Sequence, residues 1–385
     1  MTPAARVQAA IELLDAIAAG KPAEQALTSW ARSARYAGSK DRAAVRDHVF
    51  DALRCWRSAG VRGGGDSGRA RMIGLLRLQD QALAPLFSGQ GHAPAPLTGA
   101  EEAAGRPPDG AEAWDLPDWL ATRFRESLGA DAGAVAQALR TRADVFLRVN
   151  TLKATVDTAR AALGRDGIVA EPHVLSPTAL RVTEGTRAVA RSDAFQSGLV
   201  ELQDVASQAV VDALPVSKGM RVMDYCAGGG GKALALAARL QGGAVDAHDA
   251  APRRMADLPS RALRAGADIR PVAKPQGLYD LVLCDAPCSG SGAWRRSPDG
   301  KWRLTPARLE ELRNTQAAIL DRAANLVSNE GWLAYATCSV LAEENAEQVA
   351  GFCRRAPDWR LQDSRQFLPM AGGDGFFVAI LTRNL

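Results

Sequence analysis

Arg221-Val222-Met223-Asp224-Tyr225-Cys226 runs into Ala227-Gly228-Gly229-Gly230-Gly231-Lys232 and then into Ala233-Leu234-Ala235-Leu236-Ala237-Ala238-Arg239-Leu240. The first block reads as a short buried strand, the second as a turn and the third as a helix. A residue without a Cβ lets the backbone approach a ligand closely, so strand, glycine turn and helix together form the cofactor cradle of a doubly wound α/β sheet. The loop lacks the G-x-G-x-x-G order of a dinucleotide site. Its spacing, and the absence of Ser or Thr after Lys232, do not match a phosphate loop either. The cargo has to be read from the neighbouring strands.

Further β/α repeats are predicted from about residue 201, with strands near 221–226, 244–249, 268–273, 279–285, 331–337 and 376–382. Two of these end on cysteines. Leu281-Val282-Leu283 leads to Asp285-Ala286-Pro287-Cys288-Ser289-Gly290, and Trp332-Leu333-Ala334-Tyr335 leads to Ala336-Thr337-Cys338-Ser339. Chemistry in open α/β sheets sits at the carboxyl ends of strands. A lone cysteine there is more often a small buried hydrophobe, but two in matched positions suggest a nucleophile and a helper. Pro287 stiffens the turn that presents the first thiol. Asp249 closes the second strand roughly 20 residues after the glycine loop, where an acid commonly bonds ribose hydroxyls. His248 beside it reads only as a neighbour. Downstream, Arg295, Arg296, Lys301, Trp302 and Arg303 form a basic cluster with an aromatic, a pattern suited to RNA phosphates and bases. The competing readings are a solvated charge run and, for Trp302, a place in the core.

Upstream the chain divides. Val7, Ile11, Leu14 and Ile17 lie on one face of an amphipathic helix within an alanine-rich stretch. Residues 85–113, rich in Pro, Gly and Ala, read as a flexible linker. Residues 114–140 read as helical, and 144–200 as a small α/β subdomain. Six cysteines without C-x-x-C pairs and only four histidines argue against a zinc site or a disulfide framework, and suit a reducing cytoplasm. No apolar run is long enough for a membrane span, and the N-terminus lacks a signal-peptide core. A net charge of +4 over 385 residues is a mild bias toward a polyanionic partner.

Three segments, D-Y-C-A-G-G-G-G-K, D-A-P-C-S-G-S-G with R-R-S-P-D-G-K-W following, and Y-A-T-C-S-V-L-A-E-E-N, resemble in order and spacing the RsmB/NSUN family of RNA (cytosine-5) methyltransferases. Gly372 to Phe377 looks like that family's C-terminal strand entry. Phe146 to Thr151 and Glu201 to Gln208 resemble segments flanking its small RNA-binding subdomain. Gly38-Ser39-Lys40-Asp41-Arg42 and the apolar positions after it look like the helical NusB-like domain of bacterial members. The resemblance implies a class I methyltransferase Rossmann-like doubly wound sheet over 201–385, preceded by an all-α NusB-like domain over 1–84, the linker 85–113, and a helix plus RNA-binding α/β subdomain over 114–200. It implies S-adenosylmethionine as cofactor, RNA as partner, a cytoplasmic monomer, and no metal or membrane.

The resemblance also distributes roles. Cys338 is the nucleophile that adds to carbon 6 of cytosine, making carbon 5 reactive enough to attack a methyl donor. Cys288 assists breakdown of the adduct. Asp285, partnered by Lys232, meets the base edge near N3 or the exocyclic amine. The cofactor set is Cys226, Ala227, Gly228, Gly229, Gly230, Gly231, Lys232, Asp249, Arg254 and Asp285, and the RNA set is Arg295, Arg296, Lys301 and Arg303. Two departures stand out: glycine replaces the family's proline in the cofactor loop, and Arg270 to Tyr279 lacks the acid that meets the donor's adenine. Ribosomal RNA is the expected substrate. Transfer RNA, or a noncatalytic RNA-binding or assembly role, are the alternatives.

Overall fold

The computed structural model describes residues 1–384 and divides the chain into two compact units. The first comprises Met1–Arg142 together with Trp294–Arg303, and the second comprises Ala143–Ala293 and the chain from Leu304 onward.

The first unit is all helical, with α1 (Pro3–Ala18), α2 (Ala23–Ser33), α3 (Ser39–Arg54), α4 (Trp56–Gly63), α5 (Gly68–Leu78), α6 (Gly99–Ala103), α7 (Asp118–Leu128) and α8 (Ala132–Leu139). Val7, Ile11 and Leu14 of α1 meet Val49 and Leu53 of α3 and Met72, Ile73 and Leu76 of α5 in one core, with Ile17 half-buried at its edge. The contact between α4 and α5 is backbone to backbone. A Cβ on Gly74 would lie 1.8 Å from the Ala59 carbonyl oxygen, and one on Gly63 would lie 1.8 Å from that of Ala70. Only glycine permits that approach.

Residues 85–113 differ from the flexible linker that their composition predicts. Arg69 donates to both Glu101 carboxylate oxygens at 2.6 and 3.0 Å, and Arg77 donates to the carbonyls of Arg62, Glu101 and Ala104. Thr98 and Glu101 close a capping box on α6. Arginine forks, together with Phe87 buried in the helical core and Leu86 and Leu97 packed against it, hold the segment, and its Pro, Gly and Ala content hides this.

The second unit opens with a four-stranded antiparallel sheet in the order β2-β3-β1-β4, built from β1 (Val145–Val149), β2 (Val169–His173), β3 (Ser176–Glu184) and β4 (Val200–Leu202), with α9 (Val156–Arg165) and α10 (Asp193–Gln196). After α11 (Val205–Asp212) comes the large sheet, with strands β5 (Val222–Asp224), β6 (Val245–Ala247), β7 (Ile269–Pro271), β8 (Tyr279–Asp285), β9 (Val327–Thr337), β10 (Trp359–Phe367) and β11 (Phe376–Arg383). Between them run α12 (Gly231–Arg239), α13 (Leu258–Ala265), α15 (Pro306–Ala323) and α16 (Ala346–Arg355), while the short α14 (Gly300–Arg303) belongs to the first unit. The order is β10-β11-β9-β8-β5-β6-β7, parallel from β9 through β7, with β11 and β10 antiparallel. All six predicted strands are present. The seventh, β10, is an edge strand exposed at most positions and rich in polar residues, with a register shift between Leu361 and Asp363. It carries no apolar signature to read.

Because β5 sits between β6 and β8, the winding direction reverses at its carboxyl end, and that reversal opens a crevice. Apolar clusters fill both sheet faces, around Val222, Leu281, Leu283 and Ala334 on one side and Met223, Val282, Leu333 and Tyr335 on the other.

Candidate active site

The glycine turn leaves β5 at Asp224 and enters α12 at Gly231. Gly228 and Gly230 hold φ of +52° and +79°, a region costly for other residues, and a Cβ on Gly230 would lie 2.1 Å from Leu258 Cδ1. One hydrogen bond from the small sheet steadies this loop. Arg148 of β1 donates to the Gly231 carbonyl at 2.7 Å, and the same guanidinium meets Gln203. The motifs around Phe146–Thr151 and Glu201–Gln208 therefore lie against the cofactor loop.

A cavity of about 490 Å³ opens beside the turn, lined by Tyr225, Cys226, His248 and Asp249 from the strand ends and by Asn314 and Arg322 of α15, among others. Asp249 is buried at its mouth. Its carboxylate accepts from the amides of Gly228 (2.9 Å) and Ala251 (2.8 Å) and pairs with Arg254 at 3.1 Å. Asp224 is buried beneath the turn, and neither of its carboxylate oxygens has a hydrogen-bond partner. Burial first, and the Asp285 charge second, push its carboxyl up to about 7. Lys232 and the amides of Cys226 and Ala233, which approach without reaching hydrogen-bond geometry, offset this only in part. A ligand-sized cavity, a cradle that only glycine fits and an orphaned buried carboxyl are what a bound cationic cofactor with a ribose would require.

Of the predicted cofactor set, Cys226, Asp249 and Arg254 line this cavity. Gly228 to Gly231 form the turn, and Lys232 and Asp285 form a separate pair. The segment after β7 supplies no acid. Gln276 of that segment is tied through its carbonyl to Arg221 at the opposite end of β5. His248, Tyr225, Asn314 and Arg322 occupy the cavity wall instead. Sequence patterns mark none of them as cofactor residues, because their common feature is a wall assembled from separate elements.

The two cysteine loops meet because β8 and β9 are adjacent and parallel, with Asp285 opposite Ala336. Three residues beyond Asp285 and two beyond Ala336, the sulfurs of Cys288 and Cys338 lie 3.4 Å apart, both half-buried. Contact with Cys338, burial and the Glu344 charge all push the Cys288 thiol up, the Cys338 contact most strongly. The thiol proton of Cys288 is thus held more tightly than that of an ordinary cysteine. Lys232 Nζ lies 2.7 Å from Asp285 Oδ2 and 4.8 Å from the centre of the Phe376 ring. The predicted catalytic residues Cys338, Cys288, Asp285 and Lys232 therefore cluster at neighbouring strand ends, with Pro287 lining the cavity beside them.

The predicted RNA set needs correction. Arg295 and Lys301 are only 4% and 1% exposed. Lys301 Nζ donates to the Arg54 carbonyl at 3.0 Å, Arg54 donates to the Arg295 carbonyl, and the Trp302 indole donates to the Leu53 carbonyl at 2.8 Å. Trp294 stacks on Phe124 at 5.9 Å. The segment is a structural arm of the helical unit, with Lys301 lowered to about 8 by its burial. Arg296 and Arg303 are exposed. Charge spacing alone cannot distinguish an exposed cluster from one whose alternate members turn inward.

No helix is long and apolar enough to cross a membrane, and among the described residues no cluster of His, Cys, Asp and Glu suits a metal ion. Sequence comparison matches residues 211–382 to the family described as 16S rRNA methyltransferase RsmB/F, and residues 116–189 to the ferredoxin-like domain of RsmF/B-like methyltransferases. The chain is 36% identical over 285 residues to ribosomal RNA small subunit methyltransferase B of Citrobacter koseri, covering 70% of this chain and 66% of that protein. It is 33% identical over 288 residues to the Cronobacter sakazakii protein of the same name, covering 70% and 67%. The chain thus spans about two thirds of the length of these curated relatives. The fold matches a methyltransferase homolog protein from Pyrococcus horikoshii with a TM-score of 0.63 at 23% identity, over 71% of this chain and 96% of that one. The large sheet has the class I methyltransferase fold.

Proposed function

Because this chain belongs to the RsmB/F family of 16S rRNA methyltransferases, we propose that it methylates carbon 5 of a cytosine in ribosomal RNA through a covalent cysteine adduct. The observation that carries this reading is the pair of thiols 3.4 Å apart beside the Lys232–Asp285 pair. A noncatalytic RNA binder has no use for either.

S-adenosylmethionine supplies an electrophilic methyl on a sulfonium. Asp249 would hold its ribose, and the glycine turn would present backbone N–H groups. Asp285 bonds the cytosine edge, where negative charge builds as the Cys338 sulfur adds to carbon 6. Lys232 keeps Asp285 aligned at 2.7 Å. A bond from sulfur to carbon 6 forms, and the C5–C6 π pair moves to carbon 5, which would take the methyl as the S–CH3 bonding pair stays with the donor sulfur, leaving a neutral thioether. A base then removes the carbon 5 proton. The electron pair reforms the ring double bond and expels the Cys338 thiolate. Cys288, whose sulfur lies 3.4 Å from that of Cys338, is placed to assist its departure.

The test is bisulfite sequencing of ribosomal RNA from a deletion strain complemented with wild type or with Cys338→Ala. The expected result is one protected cytosine that disappears in the deletion and returns only with wild type. An unchanged ribosomal RNA pattern with loss of protection in a transfer RNA would move the substrate to the alternative.

A further inference from the structure

We propose that Glu344 is the positioning residue that holds Cys288 and Cys338 at contact, by accepting hydrogen bonds from the serine that follows each cysteine. The inference rests on the two-thiol reading above and deepens it.

Glu344 is fully buried between the two cysteine loops. Its Oε2 accepts from the hydroxyl of Ser289 and from that of Ser339, the latter at 2.6 Å. Its Oε1 accepts from the Ser289 amide at 2.8 Å and from the Gln316 side chain at 3.0 Å. That same Gln316 amide also donates to the Pro287 carbonyl at 3.0 Å. One carboxylate thus gathers both residues that follow the thiols, 50 positions apart in sequence, together with the residue preceding Cys288. The neighbouring Asn345 finishes the second loop, accepting from Thr337 Oγ1 at 2.6 Å and donating to the Ser339 carbonyl at 2.9 Å.

Among the described residues no Lys, Arg or His pairs with Glu344. A buried carboxylate held only by neutral donors is costly to desolvate, and a neutral glutamine could not replace it. An amide keeps one acceptor oxygen and replaces the other with an N–H donor group, so the two serine hydroxyls lose the oxygen to which both now donate. The arrangement requires an acceptor with two equivalent oxygens. Holding the sulfurs at contact is what lets one thiol pass a proton to the other as the adduct forms and breaks.

Phenylarsine oxide reads thiol placement without RNA or methyl donor. It closes on two neighbouring thiols by forming two arsenic–sulfur bonds, and its oxygen leaves as water with both thiol protons. The full-length wild-type chain should bind it one to one, and Cys288→Ser and Cys338→Ser should each abolish that binding. Glu344→Gln should weaken binding by about ten-fold or more, the range for losing hydrogen bonds to a charged acceptor. The doubly substituted Ser289→Ala, Ser339→Ala chain should weaken it comparably, and combining it with Glu344→Gln should add little, since all three changes break the same contacts. In turnover assays Glu344→Gln should lower kcat while leaving KM for RNA within about two-fold, a loss of transition-state alignment rather than uniform binding. Arsenical binding by both the Gln and the double-Ala chains as tight as wild type would overturn the proposal, as would wild-type binding that survives loss of either cysteine. Because the arsenical needs no substrate, a wild-type chain that binds it as predicted but methylates no RNA would fault the enzymatic reading alone.

Discussion

At the residue scale, Asp224 is the carboxyl whose environment departs furthest from solution. Its folded pKa is about 7, against roughly 4 for an unfolded aspartate. An acid raised in this way contributes stability below the unfolded value, and that stability is lost as pH rises through the folded one. Stability should therefore decline between about pH 4 and 7 on account of this carboxyl, by on the order of 4 kcal/mol. Asp224→Asn should remove the decline, so that the variant gains on wild type as pH rises from about 5 to 8. Thermal unfolding across that range checks it, and parallel melting curves would contradict the burial argument. The two cysteines proposed as catalytic are legible in the sequence because strand ends and matched motifs mark them. Glu344 and Asp224 are not, since a carboxylate's meaning lies in which donors it meets, and those come from loops distant in sequence.

At the element scale, hydropathy gives no sign of two contacts that hold the helical unit. The α4–α5 crossing needs glycine on both helices, where an added Cβ would lie 1.8 Å from a carbonyl oxygen. Gly74→Ala should cost about 2 kcal/mol or more through overpacking. Gly99→Ala, with open space around it at the start of α6, should be neutral or stabilising by up to about 1 kcal/mol. Denaturant unfolding of the full chain distinguishes the two, and equal effects would show the α4–α5 crossing to be looser than described. The second contact is the arm from Trp294 to Arg303. Trp302→Ala should destabilise the helical unit by about 2–4 kcal/mol, as core truncations of large aromatics do. A variant with wild-type unfolding and a selective defect in RNA binding would return Trp302 to the surface role that its sequence suggests. Period-two and period-3.6 patterns reveal the parallel strands and the main helices. They miss β10, whose polar edge position carries no burial signal.

At the scale of the whole molecule, the doubly wound order follows from short apolar strands separated by helices. The crevice follows from the reversal of that order at β5, and the site follows from the adjacency of β8 and β9. Each step uses the one before it, which is why one glycine turn and two cysteine motifs suffice to locate the candidate site. In the proposed mechanism, attack and release belong to different thiols. It is tested most directly by incubating Cys338→Ala and Cys288→Ala with labelled ribosomal RNA and S-adenosylmethionine, then resolving the products on a denaturing gel. A shifted protein–RNA band is expected for Cys288→Ala and none for Cys338→Ala. A shifted band that instead follows the Cys338 variant, or normal turnover without Cys338, would contradict it.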